Sequence, residues 1–293
     1  MRCLSSLCTL LGYSRQAFYS HQQQYERQTM EAAMIIAEVQ KHRKDQPRVG
    51  TRKLLLLLDA FMQEHCIKMG RDALFRLLRE NGLLIRKRRR SAQTTFSRHK
   101  YQRYPNLVRE YEPLQAHRLW VSDITYICLQ NQFAYLSLIT DAYSRKIVGF
   151  NLSLTLENKG SLSALKMAIT NCPDCSSLIH HSDRGVQYCS LAYIDLLIHS
   201  GIKISMTEQG DPLENAIAER VNGILKEELL KQTYPDFVTA QLDVAKAIVV
   251  YNTKRLHSSC NMLTPKEAHV KTGKLKRHWK SYYKKEAEIM LDH

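Results

Sequence analysis

The sequence predicts an α/β protein in two parts: a mixed-sheet core of order β-β-β-α-β-α-β-α, preceded by an all-α region. Three observations predict it. Residues 119–154 hold three short β-rich runs separated by turn residues. Residues 157–206 alternate helical and strand patterns. The first 90 residues instead show helical stretches punctuated by Gly and Ser. Antiparallel strands followed by alternating helices and strands form a sheet covered by helices.

The helical region opens with the apolar stretch Leu4–Leu11, broken at Gly12. Ser14 suits a cap for a new helix starting at Arg15, because its hydroxyl accepts an otherwise orphaned amide hydrogen. Helix, Gly-containing turn, then a polar and basic helix is the helix-turn-helix pattern, which makes Arg15 a candidate DNA contact. A second unit is expected from Met30–His42, a break at Pro47–Gly50, a helix over Thr51–His65, and after Gly70 a helix over Arg71–Glu80 stopped by Asn81-Gly82. A helical hairpin with no DNA role has the same pattern. Arg86, Lys87, Arg88, Arg89 and Arg90 come next. Five adjacent cations repel one another and suit phosphate neutralisation, in which each contact releases a counterion. The expected organisation is a helix-turn-helix DNA-binding region over 1–90, a linker over 91–117, a catalytic core over 118–272 and a basic tail over 273–293.

Within the core, Leu119–Cys128 is a β-rich run, Gln130-Asn131-Gln132 turns, and Phe133–Thr140 is a second strand. Tyr143-Ser144-Arg145 turns again before a third strand over Lys146–Leu154. Short strands with tight turns make an antiparallel meander. A helix over Glu157–Thr170, a strand over Ser177–Ser182, a helix over Leu191–Ser200 and a strand over Ile202–Met206 follow, then a helix from about Leu213 to Leu230. That order is the RNase H-like order.

Composition narrows the function. The net charge of +15 is uneven: residues 1–118 hold 23 Lys and Arg against 10 Asp and Glu, and residues 119–293 hold 20 against 18. A basic part joined to a near-neutral part predicts a polyanion-binding module, with a solvated basic surface as the plainer reading. No apolar run approaches the ~20 residues that span a bilayer, and the N-terminus lacks a signal-peptide pattern, so a cytoplasmic protein is expected. The eight cysteines are scattered and read as reduced thiols. Cys172-Pro-Asp-Cys175 has CxxC spacing, but a closed zinc site needs a second ligand pair, so it reads as a loop before a strand.

Three acids stand out. Asp123 sits inside the apolar strand Trp120–Tyr126, where an unpaired carboxylate is costly and a metal ion gives it a reason; the alternative is an edge residue facing water. Asp183 ends a predicted strand beside Arg184-Gly185, where α/β sheets place ligands and where ordinary turns also place Asp. Glu219 shares a helical stripe with Asn215, Asn222 and Lys226, opposite Ile217, Val221, Ile224 and Leu225. That stripe suits a metal and a phosphate, and is otherwise an ordinary wet face. Asp141 reads as a structural turn residue, and one of His180 and His181 is expected to pack inward.

Thirty-five residues separate Asp183 from Glu219. With Asp123 upstream, this resembles the Asp-Asp-35-Glu signature of retroviral integrases and insertion-sequence transposases. Flanking motifs carry the likeness further: Trp120-x-x-Asp123-Ile-Thr-Tyr126, Asp141-x-x-Ser144-Arg145-x-Ile-Val-Gly149, His181-Ser-Asp183-Arg-Gly185-x-Gln187-Tyr188, Pro212-x-x-Asn215-Ala216-x-x-Glu219-Arg220, Leu225-Lys226-x-Glu228, Tyr251-Asn252-x-x-Arg255-x-His257 and Thr264-Pro265-x-Glu267-Ala268. The chain resembles the OrfB-type transposases of the third insertion-sequence family, with softer support over residues 1–90.

The resemblance implies a polynucleotidyl transferase that cuts element ends and joins their 3′-hydroxyls to another DNA strand. It implies two Mg²⁺ ions, or Mn²⁺ in their place, with Asp123 bridging them, Asp183 holding one and Glu219 the other. Asn222 and Lys226 are then expected DNA contacts near the site. The partners implied are double-stranded DNA of the element ends and the target, further copies of the chain on DNA, and an upstream OrfA-type segment; the setting is the bacterial cytoplasm at the nucleoid. Two other readings remain at this point: an RNase H-like nuclease that only hydrolyses, and a DNA-binding regulator with an inert core.

Overall fold

A computed structural model describes residues 4–85, 104–109, 111–208 and 215–278. The Arg86–Arg90 run, residues 91–103 of the expected linker and residues 279–293 of the expected tail lie outside the described residues. The chain divides into two compact units, residues 1–88 and 89–293.

The first unit is helical. Helix α1 (Leu4–Leu10) is followed by α2 (Arg15–Asp45), whose Ser14 side chain accepts a hydrogen bond from the Ala17 amide at 3.0 Å. One 31-residue helix thus replaces the separate stretches the sequence suggested. The reason is local: neither Gly nor Pro falls between Arg15 and Asp45, and pairs such as Arg27–Glu31 at 2.8 Å support the exposed face. Helices α3 (Thr51–Leu57), α4 (Asp59–Glu64) and α5 (Arg71–Glu80) complete the unit, with the expected 51–65 helix interrupted at Leu58. Of the five consecutive leucines, Leu54 and Leu58 are fully buried with Ile35, Val39, Leu74 and Leu78, while Leu56 faces outward. The i, i+4 spacing selects which leucines reach the core.

The second unit is built on a five-stranded sheet of β1 (Leu119–Cys128), β2 (Phe133–Asp141), β3 (Ile147–Ser153), β4 (Ile179–Ser182) and β5 (Lys203–Met206), in the order β3-β2-β1-β4-β5. β1, β2 and β3 pair antiparallel; β1 with β4 and β4 with β5 pair parallel. This is the RNase H-like arrangement the sequence predicts. The interspersed helices are α6 (Asn158–Thr170), α7 (Leu191–His199), α8 (Ala216–Ile224), α9 (Phe237–Thr253) and α10 (Pro265–His269). Helix α8 passes into a π-helical turn over Leu225–Leu229, an irregularity frequent at functional sites.

The sheet is covered on both faces, as its strand alternation requires. Trp120, Ile139, Leu165, Leu178 and Tyr193 pack together on the side of α6 and α7. Leu136, Leu138, Val221, Ile224, Val244 and Ile248 pack on the side of α8 and α9. Gly149 of β3 lies under α6, where an added Cβ would fall 2.2 Å from the Ala164 carbonyl oxygen and 2.9 Å from the Ala168 methyl. Backbone cannot yield as a flexible side chain can. Gly149→Ala is therefore expected to destabilise this unit by about 3 kcal/mol, lowering its melting temperature by roughly 6–12 °C in a thermal denaturation measurement.

Candidate active site

Strand alternation places the first acid. Leu119 and Val121 of β1 pack with Ala218 of α8, and Asp123, two residues further, shares their face. Its Oδ2 accepts a hydrogen bond from Asn222 Nδ2 at 2.7 Å, and its Oδ1 accepts one from the Ile124 amide at 2.9 Å. Asp183 follows Ser182, which lies opposite Ser122 in the parallel β1–β4 register. The second acid thus leaves the sheet beside the first, at a strand's carboxyl end. Asp183 Oδ1 accepts from the Gly185 amide at 3.0 Å, and a Cβ on Gly185 would sit 3.0 Å from that same oxygen. The turn reading and the functional reading of Asp183 are one feature: the tight turn aims the carboxylate. Glu219 lies exposed in the first turn of α8. Asn215, just before that helix, donates from Nδ2 to the Ser122 carbonyl at 3.0 Å and ties α8 to β1.

The three carboxyl groups act on one another. Burial, then the charge of Asp183, and to a smaller extent that of Glu219, push Asp123 up to about 7. Burial and the charge of Asp183 also raise Glu219 above its ordinary value. Burial pulls the Lys226 ammonium down, opposed by Cys128 and by Asp123, so Lys226 stands within electrostatic reach of the first acid. Among the described residues, no group of three His, Cys, Asp or Glu is arranged to hold a metal ion as it stands.

One expected DNA contact is corrected. Asn222 is 5% exposed and spends its amide on Asp123, so it orients the acid rather than reaching DNA. The predicted polar stripe is mixed: Asn215 and Asn222 are buried and turned toward the sheet, while Glu219 is exposed and Lys226 partly so. Arg15 is exposed at the start of α2, in the other unit.

The remaining candidates are structural. Asp141 is fully buried; it accepts hydrogen bonds from the Ser144 amide and hydroxyl at 2.8 and 2.7 Å and from the His117 amide at 2.8 Å. His180 and His181 are both buried, bonded to Ser122 and Tyr193 and to Ser205 respectively. Burial pulls His180 down to about 3, so it stays neutral. Cys172 and Cys175 occupy the loop before β4, and burial pushes the Cys172 thiol up to about 12. Tyr251 donates to the Arg145 carbonyl at 2.9 Å, and Asn252 exchanges two hydrogen bonds with the Ile147 backbone at 3.0 Å. These fasten α9 to the β2–β3 turn and the start of β3. Sequence reasoning missed the pairing of Arg255 with Glu228, at 2.8 and 2.7 Å, although both residues stood in quoted motifs.

The strand order, with acids from β1, β4 and α8 acting on one another, marks the class: a polynucleotidyl transferase on an RNase H-like sheet. Comparison with known proteins agrees. Two models described as "Integrase core domain" match residues 113–212 and 200–265. A 31 kDa protein of the insertion element IS600 from Shigella sonnei is 31% identical over 265 residues, covering 88% of this chain and 96% of that one. A putative transposase of the element IS986/IS6110 from Mycobacterium tuberculosis is 33% identical, covering 74% and 80%. The transposase of IS629 from Shigella sonnei is 30% identical, covering 89% and 90%. The chain belongs to the insertion-sequence transposases of the third insertion-sequence family, with an integrase-type core. Its activity is DNA strand cleavage and strand transfer.

Proposed function

We propose that Asp123, Asp183 and Glu219 are the catalytic acids of this transposase and hold two divalent ions, Mg²⁺ or Mn²⁺. The observation that carries this reading is their mutual effect: the charge of Asp183 raises the proton affinity of both Asp123 and Glu219. Carboxylates that disfavour each other's ionisation suit a shared cation. The donor set is hard oxygen, as Mg²⁺ requires. Asn215 Oδ1 and Asn222 Oδ1 are buried without a hydrogen-bond partner among the described residues and retain acceptor capacity for ordered water beside the acids. When bound, a pair of such ions stabilises the attacking and leaving oxygens of an in-line phosphoryl displacement.

The protein's own residues do the positioning. Asn222 fixes the Asp123 carboxylate, Asn215 fixes α8 against β1, and the Gly185 turn aims Asp183. Lys226, on the π-helical turn, offers its ammonium to a DNA phosphate. Arg15, in the first unit, and the Arg86–Arg90 run bind DNA. The transposase works on double-stranded DNA, on element ends and target, as more than one copy of the chain. An upstream OrfA-type segment is its expected partner, and the nucleoid in the bacterial cytoplasm its place of action.

A strand-transfer assay tests the reading. Labelled DNA carrying the inverted repeats that flank the coding region is incubated with the protein, target DNA and Mg²⁺. The expected result is nicking that frees a 3′-hydroxyl, then a joined product in which that oxygen displaces a 3′-oxygen of the target strand. Hydrolysis without joined product overturns it in favour of a nuclease.

A further inference from the structure

A cavity of about 290 Å³ opens at the start of β1. Leu119, the β2–β3 turn and Ile217 of α8 line it, with residues of the segments before β1 and after α10. Four cations face it, Arg109, Arg145, Lys274 and Arg277, against one carboxylate, Glu112. Glu112 is shared by Arg277 at 2.6 Å and Lys274 at 3.7 Å. Its single negative charge leaves three positive charges in excess among the described lining residues.

Arg145 distinguishes this niche from a merely basic surface. Its backbone is left-handed, with φ 66°, a costly conformation for a residue other than Gly. Its guanidinium is largely withdrawn from water, which lowers its proton affinity without discharging it. Nη1 donates to the Ala142 carbonyl, and the buried Asp141 carboxylate acts on the group through its charge, without an ion pair to it among the described residues. A desolvated cation that no bidentate carboxylate satisfies is costly, and a planar fork of donors fits a phosphate.

We infer that this niche binds a backbone phosphate of the DNA substrate, at a site separate from the catalytic acids. Leu119 stands four residues before Asp123 on β1, about 13 Å along a strand and about four nucleotides at 3.4 Å each. One DNA molecule reaches both. The inference rests on the reading of DNA as substrate, and gives the core a second handle that sets where the strand lies across the acids.

The test is salt-dependent binding of a fluorescein-labelled duplex of arbitrary sequence by the full chain, since phosphate contacts carry no sequence information. Arg109 and Lys274 are exposed, so Arg109→Gln/Lys274→Gln leaves the fold intact. The niche holds one phosphate, so the double variant is expected to reduce the magnitude of the slope of log K against log salt by about 1. Lys271→Gln/Lys276→Gln removes the same charge outside the cavity and is expected to change the slope by less than about half as much. Arg145→Gln should remove about 1; if circular dichroism shows it unfolded, the exposed pair decides. Equal slopes for the two double variants, or no change in the cavity variant, overturn the inference. Wild-type protein without salt-dependent duplex binding instead overturns the DNA reading and the niche with it.

Discussion

Asp183→Asn is expected to lower strand cleavage and strand transfer together, on the order of 10³-fold or more, while duplex binding persists. A carboxylate that acts in the chemical step removes both reactions at once; one that only orders the turn does so only in proportion to lost folded protein. Asp123→Asn is expected to do the same, with a second readout in stability. In the metal-free protein Asp123 is raised from 3.8 to about 7. Between those values the unfolded chain is ionised while the folded site keeps its proton, so stability falls as pH rises through that window and levels above it. The shift bounds the effect at about 4 kcal/mol, and partial solvation brings it nearer 2. Asp123→Asn removes that loss: the variant should melt higher than wild type at pH 8 without metal, and the difference should vanish near pH 4. Saturating Mg²⁺ should reverse the order, stabilising wild type by about 2.7 kcal/mol at a hundredfold excess over Kd and the variant little. Wild type that gains nothing from Mg²⁺ would remove the acids from the metal site.

How much of this was legible in the residues differs by level. The order of elements in the core was readable because each strand is bounded by turn chemistry: Gln130-Asn131-Gln132 before β2, Tyr143-Ser144-Arg145 before β3. Asp123 stood out because a carboxylate in a strand as apolar as Trp120–Tyr126 demands a reason, whereas Asp183 and Glu219 stood out only together, through their thirty-five-residue spacing. What was not readable depends on rotation and third dimension. Asn222 falls on the same helical stripe whether it faces solvent or Asp123, and only the packing of α8 against β1 decides. The turn from α8 into a π-helix at Leu225 has no residue signature, since Leu, Lys and Glu all favour the ordinary α-helix. The continuous α2 was misjudged because apolar spacing marks the buried face, and residues 15–30 of that helix bury none. The Arg145 niche joins residues more than 100 positions apart, so no window along the sequence contains it.

Arg255→Ala is expected to destabilise the second unit by about 3 kcal/mol. Arg255 is 3% exposed at its side chain, donates from Nε and Nη2 to the two oxygens of Glu228 at 2.8 and 2.7 Å, and lies over the Tyr251 ring at 5.8 Å. A fork-on-fork pair loses both bonds at once, and truncation takes both of these hydrogen bonds from the half-buried Glu228 carboxylate. A double-mutant cycle with Glu228→Ala separates the pair from its surroundings: the coupling should reach about 2 kcal/mol, above the ~0.2–1 kcal/mol of exposed pairs. The functional consequence follows from where Glu228 sits. It belongs to the π-helical turn that also carries Lys226, and Arg255 follows α9, so the pair anchors that turn to the helix behind it. Arg255→Lys should keep the charge, lose the bidentate geometry, and lower strand cleavage about tenfold at a temperature where the protein remains folded, with Mg²⁺ stabilisation unchanged because the acids are untouched. Cleavage that tracks only the folded fraction would reduce the pair to a stability element and leave Lys226 positioned by other means.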